Sequence, residues 1–196
     1  MTQIVLATKN SGKLREFKKA FEKLPFEILS LENFGKLPDA VENGSTFVEN
    51  ARIKARFFSE MLKLPCLADD SGLEVDALNG NPGINSARFA GFHADDETNN
   101  RFLLSELDRV GVSESKADYR CAIVFADLNG TEFVAEGKLN GVVKKIPRGS
   151  NGFGYDPYFY IGEKTVAEIS IEDKEKISHR GQAIRKIVEL LEDYAK

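Results

Sequence analysis

Cysteine is scarce in this sequence: two residues in 196, Cys66 and Cys121, each inside an apolar run. So few thiols argue against a disulfide framework, and their separation offers no metal-type spacing. Buried free thiols in a reducing compartment, the cytoplasm, are the expectation. No apolar run approaches the roughly 20 residues of a membrane span, so no membrane partner is expected. The opening MTQIVLATKN holds five apolar residues and no basic leader, and it reads as a first strand rather than a signal peptide. Internal repeats, low-complexity tracts and linkers are also lacking, so residues 1–196 read as a single domain. Positive charge is not in excess either. Twenty-seven Lys and Arg against 31 Asp and Glu leave a formal charge of −4, which argues against a broad nucleic-acid surface.

What is present is ordinary in bulk and specific in places. Hydrophobic residues at 42% and charged residues at 30% suit a soluble globular protein, long enough for one sizeable core and marginal for two. Basic residues cluster near Lys13, Lys54, Lys145 and Arg180. That suits a small polyanion held in a pocket better than a long one on a face.

The chain is organised around Pro65–Gly91. Its apolar start, Cys66-Leu67-Ala68, is followed by two adjacent carboxylates, Asp69 and Asp70, then Ser71 and Gly72. One reading is a buried strand delivering acids at its C-terminal end, where open α/β sheets place ligands. Adjacent strand residues point to opposite faces, so both acids enter one pocket only if the chain bends, which Gly72 permits. A divalent cation such as Mg²⁺ relieves the repulsion between neighbouring carboxylates. The other reading is a simple Asp-Asp-Ser-Gly turn that ends the strand.

Elsewhere, Ile4–Ala7 reads as a strand entering the polar turn Thr8–Lys13 (TKNSGK). Leu14, Phe17, Phe21 and Leu24 then mark an amphipathic helix. The free N–H groups of such a helix start bind phosphate, and Lys9 and Lys13 add charge; the other reading is an ordinary polar strand-to-helix turn. This is not a P-loop: Ala7 and Leu14 stand where that motif needs Gly and Ser or Thr. Phe26–Leu31 reads as a second strand. Thr46 and Glu49 have capping-box spacing, ahead of a helix from Phe47 to Leu62 with Phe47, Ala51, Ala55, Phe58 and Leu62 inward. Lys54 lies at the edge of that face and either snorkels to water or reaches a phosphate.

Further on, Asn79–Gly91 reads as a long ordered loop. Asp95–Val110 reads as a helix with Phe102, Leu103, Leu107 and Val110 inward. Tyr119–Leu128 and Thr131–Glu136 read as strands joined by an Asn129-Gly130 hairpin. Arg148–Pro157 is glycine-rich, and its Phe153, flanked by Gly152 and Gly154, is either a stacking platform for a base or a packed loop aromatic. The last helix spans Ser178–Tyr194, with Ala183, Ile184, Ile187, Val188 and Leu191 inward. Lys174, Lys176, His179 and Arg180 lie before and at its start, where cations oppose the dipole unless a polar or anionic ligand is present.

Five motifs now stand in order: TKNSGK at Thr8–Lys13, ENGSTFVENA at Glu42–Ala51, LADDSGLEVDAL at Leu67–Leu78, NGFGYDP at Asn151–Pro157 and SHRGQA at Ser178–Ala183. Together they cover the chain nearly end to end, and the sequence resembles the inosine triphosphate pyrophosphatase family. More closely, it is similar to the bacterial-type purine nucleoside triphosphate pyrophosphatases that act on deaminated nucleotides. The resemblance implies an α/β fold: an elongated mixed β-sheet with flanking helices, two lobes and a central substrate cleft. It also implies a homodimer, and Mg²⁺-dependent hydrolysis of ITP, dITP and XTP to the monophosphate and pyrophosphate. Such an enzyme clears deaminated nucleotides from the pool.

By position, the resemblance implies these roles. Thr8, Lys9, Asn10, Ser11, Gly12 and Lys13 bind the triphosphate, with Asn10 and Lys13 closest. Glu42 and Asp70 hold the metal, and Asp70 accepts the proton of the attacking water. Lys54 contacts phosphate and Ser71 touches substrate. Phe153, Gly154, Tyr155 and Asp156 stack on and border the base, and Lys174, His179 and Arg180 complete its pocket. Val41 stands where some relatives carry a second acid, and Asp69 is a further candidate carboxylate. The residue types suit phosphoryl transfer, which needs positioning and charge neutralisation more than covalent chemistry. Competing readings are a pyrophosphatase for pyrimidine or methylated nucleotides, and a nucleotide sensor without turnover. A proton acceptor at Asp70 argues against the sensor.

Overall fold

The structure, a computed structural model, describes residues 2–194. The elements are β1 (Thr2–Leu6), α1 (Ser11–Phe21), β2 (Phe26–Ser30), α2 (Phe47–Leu62), β3 (Cys66–Val75), α3 (Asp96–Arg109), β4 (Glu114–Ala126), β5 (Glu132–Lys144), β6 (Phe159–Ile161), β7 (Lys164–Thr165), α4 (Ile171–Ile177) and α5 (His179–Tyr194). Seven strands form one mixed sheet in the order β2-β1-β3-β4-β5-β6-β7. β1 pairs in parallel with β2 and β3, placing Thr2 opposite Phe26 and Val5 opposite Cys66. β5, β6 and β7 pair antiparallel. The apolar run Ile4–Leu6 is wholly buried, as an interior parallel strand requires. None of the described helices is long and apolar enough to cross a membrane.

The chain packs as two compact units. The first holds the described residues up to Asp70, then Cys121–Gly137 and the described residues from Gln182. Its core gathers Ile4, Leu6, Phe17, Phe21, Ile123, Phe125, Ile187 and Leu191. The second holds Ser71–Arg120 and Lys138–Gly181, around Leu73, Val75, Leu103, Leu107, Tyr119, Val143 and Phe159. Both thiols are free and buried, and burial pushes the Cys66 thiol up, away from reactivity.

Several boundaries differ from the periodicity for physical reasons. β3 does not end at the acids: it runs through Asp69-Asp70-Ser71-Gly72 to Val75, so neither a turn nor a strand terminus lies there. α2 spans the predicted residues and is capped by Thr46 as expected, but the reciprocal half of the box falls one residue early. Thr46 accepts from the Glu49 N–H at 3.1 Å, whereas the Glu49 carboxylate accepts from the Ser45 N–H, one residue before the cap. In α3 the inward stripe is narrower than predicted. Leu103 and Leu107 are buried, Phe102 and Val110 are each 37% exposed, and Asn99 and Asn100 are buried beside the leucines. β4 begins five residues before its apolar run and ends two short of it, and β5 begins one residue later and runs on to Lys144, because pairing extends through alternating polar positions. α4 buries no side chain, so it left no stripe to find. Its Ser170 cap accepts from the Asp173 N–H at 3.1 Å.

Candidate functional site

Within the first unit, β1 delivers the turn Thr8–Lys13 and α1 begins at Ser11. Asn10 caps that helix: its Oδ1 accepts from the N–H groups of Gly12 at 2.8 Å and Lys13 at 3.1 Å. Two of the N–H groups read as free for phosphate are therefore already engaged, and Asn10 is aimed at its own helix. The turn contributes mainly side chains. Thr8, Lys9, Lys13, Glu42, Lys54 and Asp69 line a cavity of about 210 Å³, whereas Asn10, Ser11, Gly12 and Asp70 do not line it.

The lysines are held by carboxylates. Lys13 Nζ lies 2.7 Å from Asp69 Oδ2, a pair in which the acid is 1% exposed. Lys54 Nζ lies 2.9 Å from Glu42 Oε2 and 3.8 Å from Asp70 Oδ1. Exposed Lys9 pairs with Asp39 at 2.5 Å. Lys54 is thus not snorkelling, since its side chain is 15% exposed. Burial opposes its charge, but Asp70, Asp69 and Glu42 together hold its pKa above the ordinary lysine value. Asp70 moves the other way on the scale of charge. Burial pushes its pKa up to about 6, Glu42 adds repulsion, and Lys54 and Lys13 oppose the shift. A carboxyl held near 6 suits a general base at neutral pH.

Asn50 belongs to this cluster and was not foreseen. It is 1% exposed, its Nδ2 donates to Asp70 Oδ2 at 3.2 Å, and its Oδ1 accepts from the Gly44 N–H at 2.9 Å. It ties the loop after Glu42 to the acid. The available signal was a polar side chain within the buried region of α2, which demands a partner.

Within the second unit, the glycine-rich loop presents Phe153, 39% exposed. Lys174 Nζ lies 5.0 Å and the Arg180 guanidinium carbon 5.5 Å from its ring centroid, both in cation–π range. Asp156, 3% exposed, accepts from Lys174 Nζ at 2.5 Å and from the Phe153 N–H at 2.9 Å. Its Oδ2 would lie 2.0 Å from any Cβ at position 152, so only glycine fits there. Arg180 is buried, and its Nη2 donates to Ser71 Oγ at 3.3 Å. Buried His179 stacks on Tyr119, with centroids 4.8 Å apart. Burial, then Asp156, holds the Tyr119 phenol well above its usual pKa, so it stays neutral. Tyr119 was another member that the sequence did not single out. Tyr155 turns into the core and donates to the Ser86 carbonyl at 2.7 Å, which makes it a support of the loop rather than a border of a base.

Whether the residues fit a cation can be judged from their chemistry. Glu42 and Asp70 offer oxygen donors only, and both lie within 4 Å of one ammonium, so the position already accommodates positive charge. Among the described residues no group of three His, Cys, Asp or Glu forms a protein cage. Mg²⁺ commonly takes one or two carboxylates and completes its shell with water and substrate phosphate. The pair fits that habit.

Comparison with known proteins agrees with the motif order. A Geobacter sulfurreducens protein named dITP/XTP pyrophosphatase is 50% identical over 186 residues, covering 94% of each chain. A Geobacillus kaustophilus protein of the same name is 48% identical over 195 residues, 98% of this chain and 96% of its own. Among solved structures, a HAM1 protein from Coxiella burnetii superposes with a TM-score of 0.92 at 41% identity, covering 98% of this chain and 100% of that one. A family model described as the Ham1 family matches residues 4–190, and the chain belongs to that family.

Proposed function

We propose that this protein hydrolyses the α–β phosphoanhydride of deaminated purine nucleoside triphosphates, ITP, dITP and XTP, giving the monophosphate and pyrophosphate. The observation that carries the reading is the Glu42–Lys54–Asp70 arrangement: a largely buried carboxyl, 13% exposed, with its pKa pushed up to about 6, flanked by a lysine and a second acid. Relatives about half identical over nearly their whole length are named for dITP and XTP, which supports the substrate class.

The division of labour follows the two clusters. Lys13 and Lys54 neutralise charge on the phosphates, the contribution that dominates phosphoryl transfer. Asp70 accepts the proton of the attacking water, and Asn50 holds its second oxygen in place. Glu42 and Asp70 would hold Mg²⁺, whose chemistry here is neutralisation of phosphate charge and stabilisation of the leaving pyrophosphate. Phe153 stacks on the base, while Arg180 and Lys174, both donor-only when charged, pair with a purine 6-oxo group. The chain passes directly from one cluster to the other at Asp70-Ser71.

Incubation of the purified protein with ITP, dTTP or ATP and Mg²⁺, with separate detection of pyrophosphate and orthophosphate, tests the reading. IMP and pyrophosphate from ITP, lost on chelation and restored by Mg²⁺, are expected. Orthophosphate with IDP, preference for dTTP, or binding without turnover overturns it.

A further inference from the structure

The mechanism above uses Phe153 but leaves open what keeps a ring between two flexible glycines in one place. Gly152 and Gly154 both have positive φ, +83° and +64°. A loop so built costs entropy to order unless its peptide groups are tied down. Asp156 holds the Phe153 N–H from within the loop. On the other side, α3 reaches across. Asp96 Oδ2 accepts from the Gly154 N–H at 2.7 Å, and Asn100 Nδ2 donates to the Gly154 carbonyl at 2.9 Å. Asp96 and Asn100 stand four apart, one helical turn, so both project from the same face. Asn100 is 8% exposed and Asn99 beside it 4%. Burying two carboxamides in the first turns of a helix costs desolvation and has no packing logic. Asn99 accounts for itself by holding Ala90 N–H and Ala87 O. Asn100 is left with the loop.

We infer that Asp96 and Asn100 are positioning residues that clamp both polar groups of Gly154 and so fix the Phe153 platform for the base, a role that rests on the base-stacking reading above. Both act through the loop backbone, where their hydrogen bonds go. Their effect is on KM, through the preorganisation of Phe153, and leaves the phosphate chemistry at Asp70 alone. Asp96 acts only as an acceptor, so an amide oxygen can replace it. Asn100 acts as a donor to a carbonyl, so a carboxylate cannot replace it.

The test is steady-state kinetics of pyrophosphate release from ITP by the full chain, with hydrogen exchange of the segment 150–158 measured in parallel. Loss of one such hydrogen bond should raise KM about three- to tenfold, with kcat within about twofold. Asn100→Ala, Asn100→Asp and Asp96→Ala are each expected to do so, and Asp96→Asn to recover most of the loss. In a Phe153→Ala background, Asn100→Ala should add nothing, because the platform it holds is gone. Exchange in 150–158 should quicken in Asn100→Ala and not in Asp96→Asn. Additive losses in the double variant, an equal fall in kcat, or unchanged exchange overturns the clamp. A wild-type protein that releases no pyrophosphate from ITP overturns the proposed function instead, and the exchange arm still decides the clamp.

Discussion

Replacing Asp70 with Asn probes the electrostatics of the phosphate cluster without any substrate. Burial raises the Asp70 pKa from an ordinary 3.8 to about 6, against the pull of Lys54 and Lys13. Between those values the folded protein keeps a proton that the unfolded chain has released. Stability falls with rising pH wherever the folded state binds more protons. The contribution of Asp70 is therefore fully present below pH 3.8 and is lost as pH rises through 6. At about 1.4 kcal/mol per pH unit the whole loss is about 3 kcal/mol, of which about 2 kcal/mol falls between pH 4.5 and 7.5.

Asn does not ionise, is nearly isosteric, and keeps an oxygen for the Asn50 amide that now donates to Asp70. Urea denaturation of both proteins in chelator at pH 4.5 and 7.5 makes the comparison. Their other titrating groups are the same and cancel to first order. The stability of Asp70→Asn relative to wild type should rise by about 2 kcal/mol between the two pH values. A difference that stays flat or shrinks means that Lys54 wins over burial and that Asp70 is an ordinary ionised partner in the resting protein.

Three other outcomes are expected. Asp70→Asn should lower kcat at pH 7.5 by roughly 10²–10⁴, the range for a positioned base, and more than about a tenth of wild-type turnover removes Asp70 from that role. Lys13→Ala strips the 1%-exposed Asp69 of its ammonium, so it should cost roughly 3–5 kcal/mol by denaturation besides weakening ITP hydrolysis; a loss below about 1 kcal/mol, the level of a surface pair, refutes the buried pair. Arg180→Ala should narrow the ITP/ATP ratio of kcat/KM at least about tenfold, or 1.4 kcal/mol, whereas Phe153→Ala should weaken both substrates alike, since stacking does not distinguish a 6-oxo from a 6-amino group; an unchanged ratio in Arg180→Ala assigns base reading to backbone groups.

Apolar periodicity made the helices of this chain legible. Phe47, Ala51, Ala55 and Phe58 repeat at the period of the helix they form, and α2 spans the predicted residues. Strand length was harder, because β4 and β5 continue through polar residues whose pairing partners lie elsewhere in the sequence. α4 was invisible for the opposite reason: a helix held by a Ser170 cap and Asp173–Lys176 pairing, with no buried face, has no pattern to read. In α3 the error ran toward hydrophobicity. Asn99 and Asn100 are buried beside Leu103 and Leu107, where their amides hold loop backbone, while Phe102 and the cap residue Val110 are each 37% exposed.

The candidate site was legible as a set of residue types and not as a set of partners. The sequence joined Asp69 and Asp70 as neighbours, with a bend needed to bring them to one task. The strand stays extended, and alternation separates them instead. Asp69 takes Lys13, and Asp70 takes Lys54, Glu42 and Asn50. The two acids differ in how near their lysines stand. Asp69 has the Lys13 ammonium at 2.7 Å, whereas the Lys54 ammonium stands 3.8 Å from Asp70 and 2.9 Å from Glu42. Coulomb attraction falls with distance and is divided among competitors, but the cost of burial is not divided. For Asp70 burial outweighs the pull of Lys54 and Lys13 and holds its pKa at about 6, and the part proposed for it as proton acceptor rests on that balance.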